Sequence, residues 1–167
     1  IPIRTNSAIL ISGKKFTETP SRIADLSQES GRVTIWGDVF LSDSRMSRDG
    51  KTAILSYSIT DYTSSINLKV ITDKKSAEAF EKVKKGSTLL LRGEVTYDKY
   101  DRDVVVRPND VLLVEHIKRQ DLSDEKRVEL HMHTNMSSMD AVTPADRLVQ
   151  TAYEWGHQAV AITDHGV

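Results

Sequence analysis

The pattern that most constrains the fold is the alternation of apolar and polar residues through residues 31–115. A period of two is typical of a half-buried strand. It predicts the first strand within Arg32–Ser42, and Gly37 in the middle of this segment predicts a bulge or a sharp bend. The residues of this strand that we expect to face the core are Val33, Ile35, Val39 and Leu41.

Two more strands and a helix follow in the same region. Residues 47–50 read Ser-Arg-Asp-Gly, a sequence typical of a hairpin turn. The second strand is predicted over Ala53–Asp61 and the third over residues 66–70. Lys74–Val83 then changes to helical spacing, and residues 84–86 (Lys-Lys-Gly) end the helix. The inward residues expected in the two strands are Leu55, Tyr57, Ile59, Ile66, Leu68 and Val70.

A fourth strand is predicted from Thr88 to about Tyr97, and residues 104–115 supply the fifth. Three strands, a helix and two strands is the element order of a five-stranded OB-fold barrel. We therefore expect residues 31–118 to form an all-β OB-fold barrel, with an open β-sandwich as the alternative. Residues 1–30 are expected to form a segment that packs on the barrel, with a short strand and a helical turn.

Residues 119–126 are polar and charged, and they predict a linker. Beyond it, residues 127–167 are predicted to form one β-α-β unit, an incomplete α/β segment. The helix of this unit is expected to begin with Thr143 as N-cap and Pro144 at the first helical position, and Gly156 suits a left-handed cap at its end. Its apolar stripe comprises Ala145, Leu148, Val149, Ala152 and Trp155.

Three histidines and an aspartate fall near the ends of the two strands of this unit. His131 and His133 are two residues apart on one strand, so their side chains leave the same face. Asp140 lies in the following loop, and His165 comes directly after the second strand. Carboxyl ends of neighbouring parallel strands are where α/β barrels build their sites. A His-x-His pair alone is more often exposed or packed than metal-binding, but the Asp-His-Gly turn after the second strand favours a metal site.

The ligand types narrow the choice of metal. Imidazole and carboxylate groups suit zinc, manganese or iron better than calcium. The 167 residues include no cysteine, which excludes disulfides and thiolate zinc sites. Asp164 either orients an imidazole or joins the metal, and we favour the orienting role.

Composition sets further limits on the protein. No apolar run of membrane-spanning length and no signal-peptide pattern occur, so we expect a cytoplasmic protein without a membrane partner. The formal net charge of −1 divides into a basic excess in residues 1–120 and an acidic excess in residues 121–167. Both excesses are weak signals for a charged partner. Because the sequence begins at Ile1 rather than Met, we expect it to be part of a longer protein.

A family resemblance rests on these same motifs. The segments His131–Asp140 and Ile162–Gly166 resemble the first two motifs of a PHP (polymerase and histidinol phosphatase) domain. An OB-like module leading into such motifs, and residues 127–141 above all, resembles the PolC-type DNA polymerase III alpha subunits of low-GC Gram-positive bacteria.

The resemblance implies a metal site and a parent enzyme. His131, His133, Asp140 and His165 would be metal ligands of a PHP-type barrel, with zinc or manganese as the metal. The parent would be a DNA-directed DNA polymerase, with magnesium in its polymerase domain and an inserted exonuclease, both outside this chain. The chain alone is expected to be inactive. Its expected partners are single-stranded template DNA, the rest of the polymerase chain and replisome proteins.

The outer surface of the predicted barrel offers candidate DNA contacts. OB folds stack bases on aromatic side chains within a cationic groove. Alternatively, Trp36 and Phe40 pack on residues 1–30 or on the following domain, and Arg92 and Arg107 are ordinary solvated charges. The candidate residues are Trp36, Phe40, Lys69, Arg92 and Arg107.

Two other functions remain open from the sequence alone. One is a metal-dependent phosphoesterase that carries an OB module, in which the metal activates a water and holds the phosphate. The other is a non-enzymatic OB binding module beside a PHP segment that only scaffolds. The chain beyond Val167 would discriminate between the polymerase and the phosphoesterase, since only the polymerase requires an exonuclease insertion and a long polymerase region.

Overall fold

The computed structural model describes residues 2–47 and 50–166. These residues divide into two compact units, residues 1–117 and residues 118–167. The first unit is built from strands with short helical segments between them. Its elements in chain order are β1 (Ile3–Ser12), a 3-10 turn (Ile23–Asp25), β2 (Arg32–Met46), β3 (Thr52–Thr60), β4 (Ser65–Asp73), α1 (Lys74–Ala77), a 3-10 helix (Glu78–Lys82), β5 (Thr88–Asp98) and β6 (Asp103–His116).

Five of these strands close into a ring. β2 pairs antiparallel with β5 through its first half and with β3 through its second half. β3 pairs antiparallel with β4, β4 pairs parallel with β6, and β6 pairs antiparallel with β5. Strand order around the ring is therefore β2, β3, β4, β6, β5 and back to β2. Closing a sheet in this way removes exposed strand edges over the paired stretches.

The interior of the ring is the hydrophobic core of the first unit. Inward positions of the alternating strands are buried there, as the period of two predicts, and Leu55, Tyr57 and Ile59 of β3 are among them. Ile35, Leu91 and Val106 are fully buried, although they come from three different strands. Burial of apolar area at this scale is the main favourable contribution to folding.

One inward prediction in β2 is wrong. Leu41 is 60% exposed, because the pairing of β2 with β3 shifts register between Val39 and Leu41. The extra residue at Phe40 is a bulge, and a shift of one residue turns every following side chain to the opposite face. A bulge or a sharp bend was predicted at Gly37, and the bulge lies at Phe40 instead. A Cβ at Gly37 would meet the Thr60 carbonyl oxygen at 3.0 Å, so β2 and β3 approach closely there.

The predicted helix between the third and fourth strands of the ring is shorter and tighter than expected. It consists of α1, capped by the Asp73 carboxylate on the Ser76 N–H at 2.9 Å, and the 3-10 helix that follows. A 3-10 helix repeats every three residues. Phe80 of this helix packs in the core, together with Ala77 three residues before it and Val83 three residues after it.

Arg48 and Asp49 of the predicted hairpin turn lie outside the described residues.

Residues before the ring join the sheet rather than only packing on it. β1 pairs antiparallel with the last part of β6, from Ile3 opposite His116 to Ser12 opposite Val111. The 3-10 turn at residues 23–25 buries Ile23 against the core of the ring.

The second unit contains β7 (Glu129–Met132), α2 (Ala145–Glu154) and β8 (Val160–Ile162). β7 and β8 pair in parallel, which is the predicted β-α-β arrangement. Thr143 is not the N-cap of α2. Pro144 takes that position with an extended ψ of 147°, so the helix begins one residue later than predicted. Gly156 has a φ of +78° and is the predicted left-handed cap.

Residues 118–126 fold against the C-terminal end of α2. The Trp155 indole N–H donates to the Arg119 carbonyl oxygen at 2.8 Å. Lys126 donates to the Asp121 and Ser123 carbonyl oxygens at 2.6 and 2.8 Å. This segment also covers the His157 ring, whose Nε2 lies 3.2 Å from an Asp121 carboxylate oxygen.

The approach of β5 to β6 predicts a sharp steric cost at Gly93. A Cβ there would lie 2.4 Å from the Arg107 carbonyl oxygen and 2.7 Å from Pro108 Cα, which are backbone atoms that cannot rotate away. We expect Gly93→Ala to lower the free energy of unfolding by about 1–3 kcal/mol or more, measured by urea denaturation followed by circular dichroism. Glu94→Ala, at the exposed next position, should change it by less than about 0.5 kcal/mol. Equal urea midpoints for the two variants would contradict this account.

Candidate metal centre

Three of the four predicted ligands converge at the ends of β7 and β8. An Asp140 carboxylate oxygen lies 2.9 Å from His165 Nε2 and 3.3 Å from His133 Nδ1. Potential ligand atoms of these three residues all lie within 4.8 Å of one another. Two loops that are far apart in sequence therefore bring nitrogen and oxygen donors to one point.

His131 lies beside this cluster without being part of it. Its ring centroid is 4.8 Å from that of His133, and the His133 centroid is 4.5 Å from that of His165. The two imidazoles of the His-x-His pair are therefore neighbours, as expected for one face of a strand. Of these two residues, only His133 has a ring nitrogen among the atoms that converge with Asp140 and His165.

A second observation marks His133 as a candidate ligand. Its Nε2 is buried, and no hydrogen-bond partner for it occurs among the residues that the structure describes. Buried polar atoms in folded proteins almost always have a partner, so an orphaned imidazole nitrogen needs an explanation. A coordinated cation is one explanation that fits the donor set of two imidazoles and a carboxylate.

The loops that carry the cluster are joined by Asp164. Its carboxylate accepts hydrogen bonds from the Thr134 N–H at 2.6 Å, the Thr134 hydroxyl at 2.6 Å and the Ser137 hydroxyl at 2.7 Å. The hydrogen bond from the Thr134 side chain is the largest cause that lowers the pKa of Asp164 below its ordinary value. Asp164 was expected to orient an imidazole directly. Within the described part of the chain its carboxylate instead bonds to these hydroxyl and backbone groups.

Sequence reasoning missed the roles of Thr134 and Ser137. Both side chains are completely buried. A signal was present, since hydroxyl residues directly follow the His-x-His pair and an aspartate precedes His165. Nothing in one sequence indicated that these groups would pair with each other across the two loops.

Of the five predicted DNA contacts, Trp36 is covered by the first strand. It is 7% exposed and packs with Leu90, Leu112 and Val114 in a small cluster on the outer face of the ring. Ile3, Ala8 and Phe16 cover this cluster. The expectation that Trp36 is open to solvent is therefore wrong, and the alternative of packing on residues 1–30 is correct for it.

All three predicted cationic contacts are already paired within the first unit. Lys69 is 7% exposed and donates to Asp98 at 2.7 Å and to Asp101 at 2.8 Å, so the expectation that it faces solvent is also wrong. Arg92 forms ion pairs with Glu18 at 2.6 Å and Asp110 at 2.7 Å, and it stacks over the Phe16 ring. Phe40 and Arg107 remain substantially exposed, although an Arg107 guanidinium nitrogen lies 3.7 Å from an Asp98 carboxylate oxygen.

Comparison with known proteins finds a match for the second unit. A family model described as "PHP domain" matches residues 129–167, the segment that carries the histidine cluster. Among the residues described, none of the helices has the length and apolar character needed to cross a membrane.

The particular relatives are DNA polymerases. The chain is 48% identical over 158 residues to "DNA polymerase III PolC-type" of Clostridium perfringens, which covers 94% of this chain and 11% of that protein. The proteins of the same name from Caldanaerobacter subterraneus and Listeria monocytogenes are 43% and 41% identical, over 95% and 92% of this chain and 11% of each relative. These matches confirm the resemblance to the PolC-type DNA polymerase III family. The chain spans about a tenth of the length of these relatives.

Likeness to solved structures is weaker. An OBody bound to hen egg-white lysozyme has a TM-score of 0.43 and 13% identity, over 58% of this chain and 96% of that one. A likeness at this level supports no assignment.

The buried ion pair of Lys69 predicts a pH-dependent effect on stability. The Lys69 ammonium group lowers the pKa of Asp98 from 3.8 to about 2. A carboxyl group with a lowered folded-state pKa stabilises the fold above its unfolded pKa and loses that contribution as the pH falls through the folded value. Lys69→Met removes the contribution and leaves the Asp98 carboxylate buried without its partner.

We therefore expect Lys69→Met to lower the urea midpoint of the first unit most at pH 7. The difference from the natural chain should narrow as the pH falls from about 4 toward 2. Lys99→Met, at an exposed lysine of the adjoining hairpin, should change the midpoint little at either pH. A deficit in Lys69→Met that is constant between pH 7 and pH 2 would show that the ion pair is not its cause.

Proposed function

We propose that the second unit binds a divalent metal ion through His133, Asp140 and His165, with His131 as a further ligand. The orphaned and buried His133 Nε2 is the observation that carries this proposal. Convergence of two imidazoles and a carboxylate supports it, as does the match of residues 129–167 to the PHP domain. Zinc or manganese suits these ligands.

The side chains at this proposed site have three roles. His133 and His165 offer imidazole nitrogens as ligands, and the Asp140 carboxylate offers an oxygen. Asp164 acts outside the ligand set and holds the loops that present the ligands. When bound, the metal would supply Lewis acidity, which polarises a phosphoryl oxygen or activates a water.

We further propose that the chain is a segment of a replicative DNA polymerase. Identities of 41–48% to proteins named "DNA polymerase III PolC-type" support this proposal. DNA-directed nucleotidyl transfer with magnesium, and an exonuclease activity, would then belong to the complete cytoplasmic protein. Residues 1–167 would contribute a metal site and a binding barrel and would not polymerise DNA by themselves.

The first unit is proposed to be an OB-fold barrel over residues 31–118. Its ring order of β2, β3, β4, β6 and β5 supports this proposal, because it is that of a five-stranded Greek-key barrel. Residues 1–30 would pack on it and add β1 to its sheet. Residues 119–126 would be a linker that folds against α2, and residues 127–167 would be the first β-α-β unit of the PHP domain. Single-stranded template DNA is the partner that we propose, with a replisome protein as the alternative.

A second candidate function is a metal-dependent phosphoesterase that carries the same barrel. The histidine cluster favours it, since two imidazoles with a carboxylate are ligands typical of metal-assisted hydrolysis. Both functions share the metal site and differ in what the complete protein does with DNA.

Metal binding can be measured on this chain directly. We expect isothermal titration with zinc or manganese to give one site, and His133→Ala to weaken it by at least about tenfold, since loss of a supporting group alone typically costs 10–100-fold. His157→Gln removes an imidazole outside the cluster, so its affinity should match that of the natural chain. Equal loss in both variants would indicate adventitious binding, and no binding to the natural chain would refute the proposed site.

DNA binding tests the role of the barrel. Fluorescence anisotropy with single-stranded and duplex DNA at two salt concentrations should show a preference for single strands that weakens with salt. Phe40→Ala should weaken binding by about 1–3 kcal/mol, or roughly 5- to 150-fold, if a base stacks on this ring. Arg22→Ala, an exposed cation outside the five candidate residues, serves as the control. Absence of binding at micromolar protein would transfer the role of the barrel to protein contacts.

A further inference from the structure

The most deeply buried side chains of the second unit are polar. Within its described residues, 118–166, Thr134 and Ser137 are the side chains with no exposed surface, and no apolar side chain is buried to that extent. An ordinary small unit places apolar groups at this position. The local structure here is therefore held by hydrogen bonds around Asp164 more than by an apolar centre.

These hydroxyls connect the two loops that carry the candidate ligands. Thr134 follows His133 directly in the chain, and it donates to Asp164 through both its backbone N–H and its hydroxyl. Asp164 in turn precedes His165 directly. Each of these two histidines is thus one residue from a partner in the same hydrogen-bonded pair.

Ser137 makes a second connection. Its hydroxyl donates to Asp164 at 2.7 Å and accepts from the His165 N–H at 2.9 Å. Its carbonyl oxygen accepts from the Asp140 N–H at 3.1 Å. Ser137 therefore contacts the backbone of both Asp140 and His165, whose side chains lie 2.9 Å apart.

We propose that Thr134 and Ser137 are positioning residues, whose hydroxyls bond to Asp164 and set the separation of His133, Asp140 and His165 for a divalent cation. This inference rests on the proposed metal site, and it assigns to two uncharged side chains a role in that site. Neither hydroxyl touches the cation. They act by holding two loops in register before the cation arrives.

Removal of a hydroxyl should leave buried groups without partners. Thr134→Val keeps the shape of the side chain but removes one hydrogen bond to Asp164 and the acceptor for the Met136 N–H, which lies 3.1 Å away. Such groups lose the hydrogen bond and gain no water in its place. The loops then separate or move, and the ligands lose their common centre.

The matched test is Thr134→Val against Thr134→Ser in the full chain, titrated with zinc alone by calorimetry. Thr134→Ser keeps the hydroxyl, so we expect it to bind within about threefold of the natural chain. Thr134→Val should bind about 10–100-fold more weakly, the range typical for loss of a group that supports metal ligands. Zinc affinity that is unchanged in Thr134→Val would overturn the proposal.

Amide hydrogen exchange of the metal-free chain provides a second measurement that does not depend on zinc. Thr134→Val should lose protection at both residues 134–140 and residues 163–166, while Thr134→Ser retains it. If the natural chain binds no zinc, the proposed metal function fails, and the exchange result still decides whether the hydroxyls join the loops. Loss of protection confined to residues 134–140 would overturn the connection.

Ser137→Ala covers the case in which Thr134→Val fails to fold. It leaves both Thr134 hydrogen bonds to Asp164 and removes the two hydrogen bonds of the Ser137 hydroxyl, one to Asp164 and one from the His165 N–H. We expect a folded amide spectrum, faster exchange at His165 and weaker zinc binding. Natural zinc affinity in a folded Ser137→Ala chain would refute the role of Ser137.

Discussion

The geometry of the second unit depends on one carboxylate, that of Asp164. Three short hydrogen bonds converge on it from Thr134 and Ser137, and through Ser137 it also reaches the His165 backbone. β7 and β8 are only four and three residues long, so their pairing alone contributes little to the stability of this unit. The hydrogen bonds to Asp164 extend that pairing into the loops beyond the strands, where the candidate ligands lie.

In the first unit, part of the outer face of the five-stranded ring is apolar. β1 and Phe16 cover this face at the cluster around Trp36. Lys69 and Arg92 lie against this barrel, and each is neutralised by two carboxylates. Charges that are paired in this way stabilise the fold locally and are not available to phosphate groups. A nucleic-acid surface on this unit must therefore use other side chains. Phe40 is the exposed aromatic candidate, and Arg107 is an exposed cation that shares Asp98 at 3.7 Å.

Much of the strand pattern was predictable, because each inward position depends on local alternation. The segment around Leu55 shows this, since Leu55, Tyr57 and Ile59 are all buried. The inward prediction for Leu41 was wrong because a bulge at Phe40 shifts the register, and simple alternation of residues does not reveal a bulge. The prediction that Trp36 and Lys69 are exposed was wrong because the groups that cover them, β1 and the β5–β6 hairpin, are distant in sequence. The candidate ligands were predictable from residue type and spacing. The roles of Thr134 and Ser137 were not, since each depends on a hydrogen bond to a residue in another loop.

Anomalous scattering from crystals of this chain grown with zinc tests the central claim most directly. This account predicts one strong anomalous peak within coordination distance of His133, Asp140 and His165, with Asp164 still bonded to Thr134 and Ser137. A peak elsewhere on the chain, or a peak at the cluster with Asp164 turned into the ligand set, would contradict it.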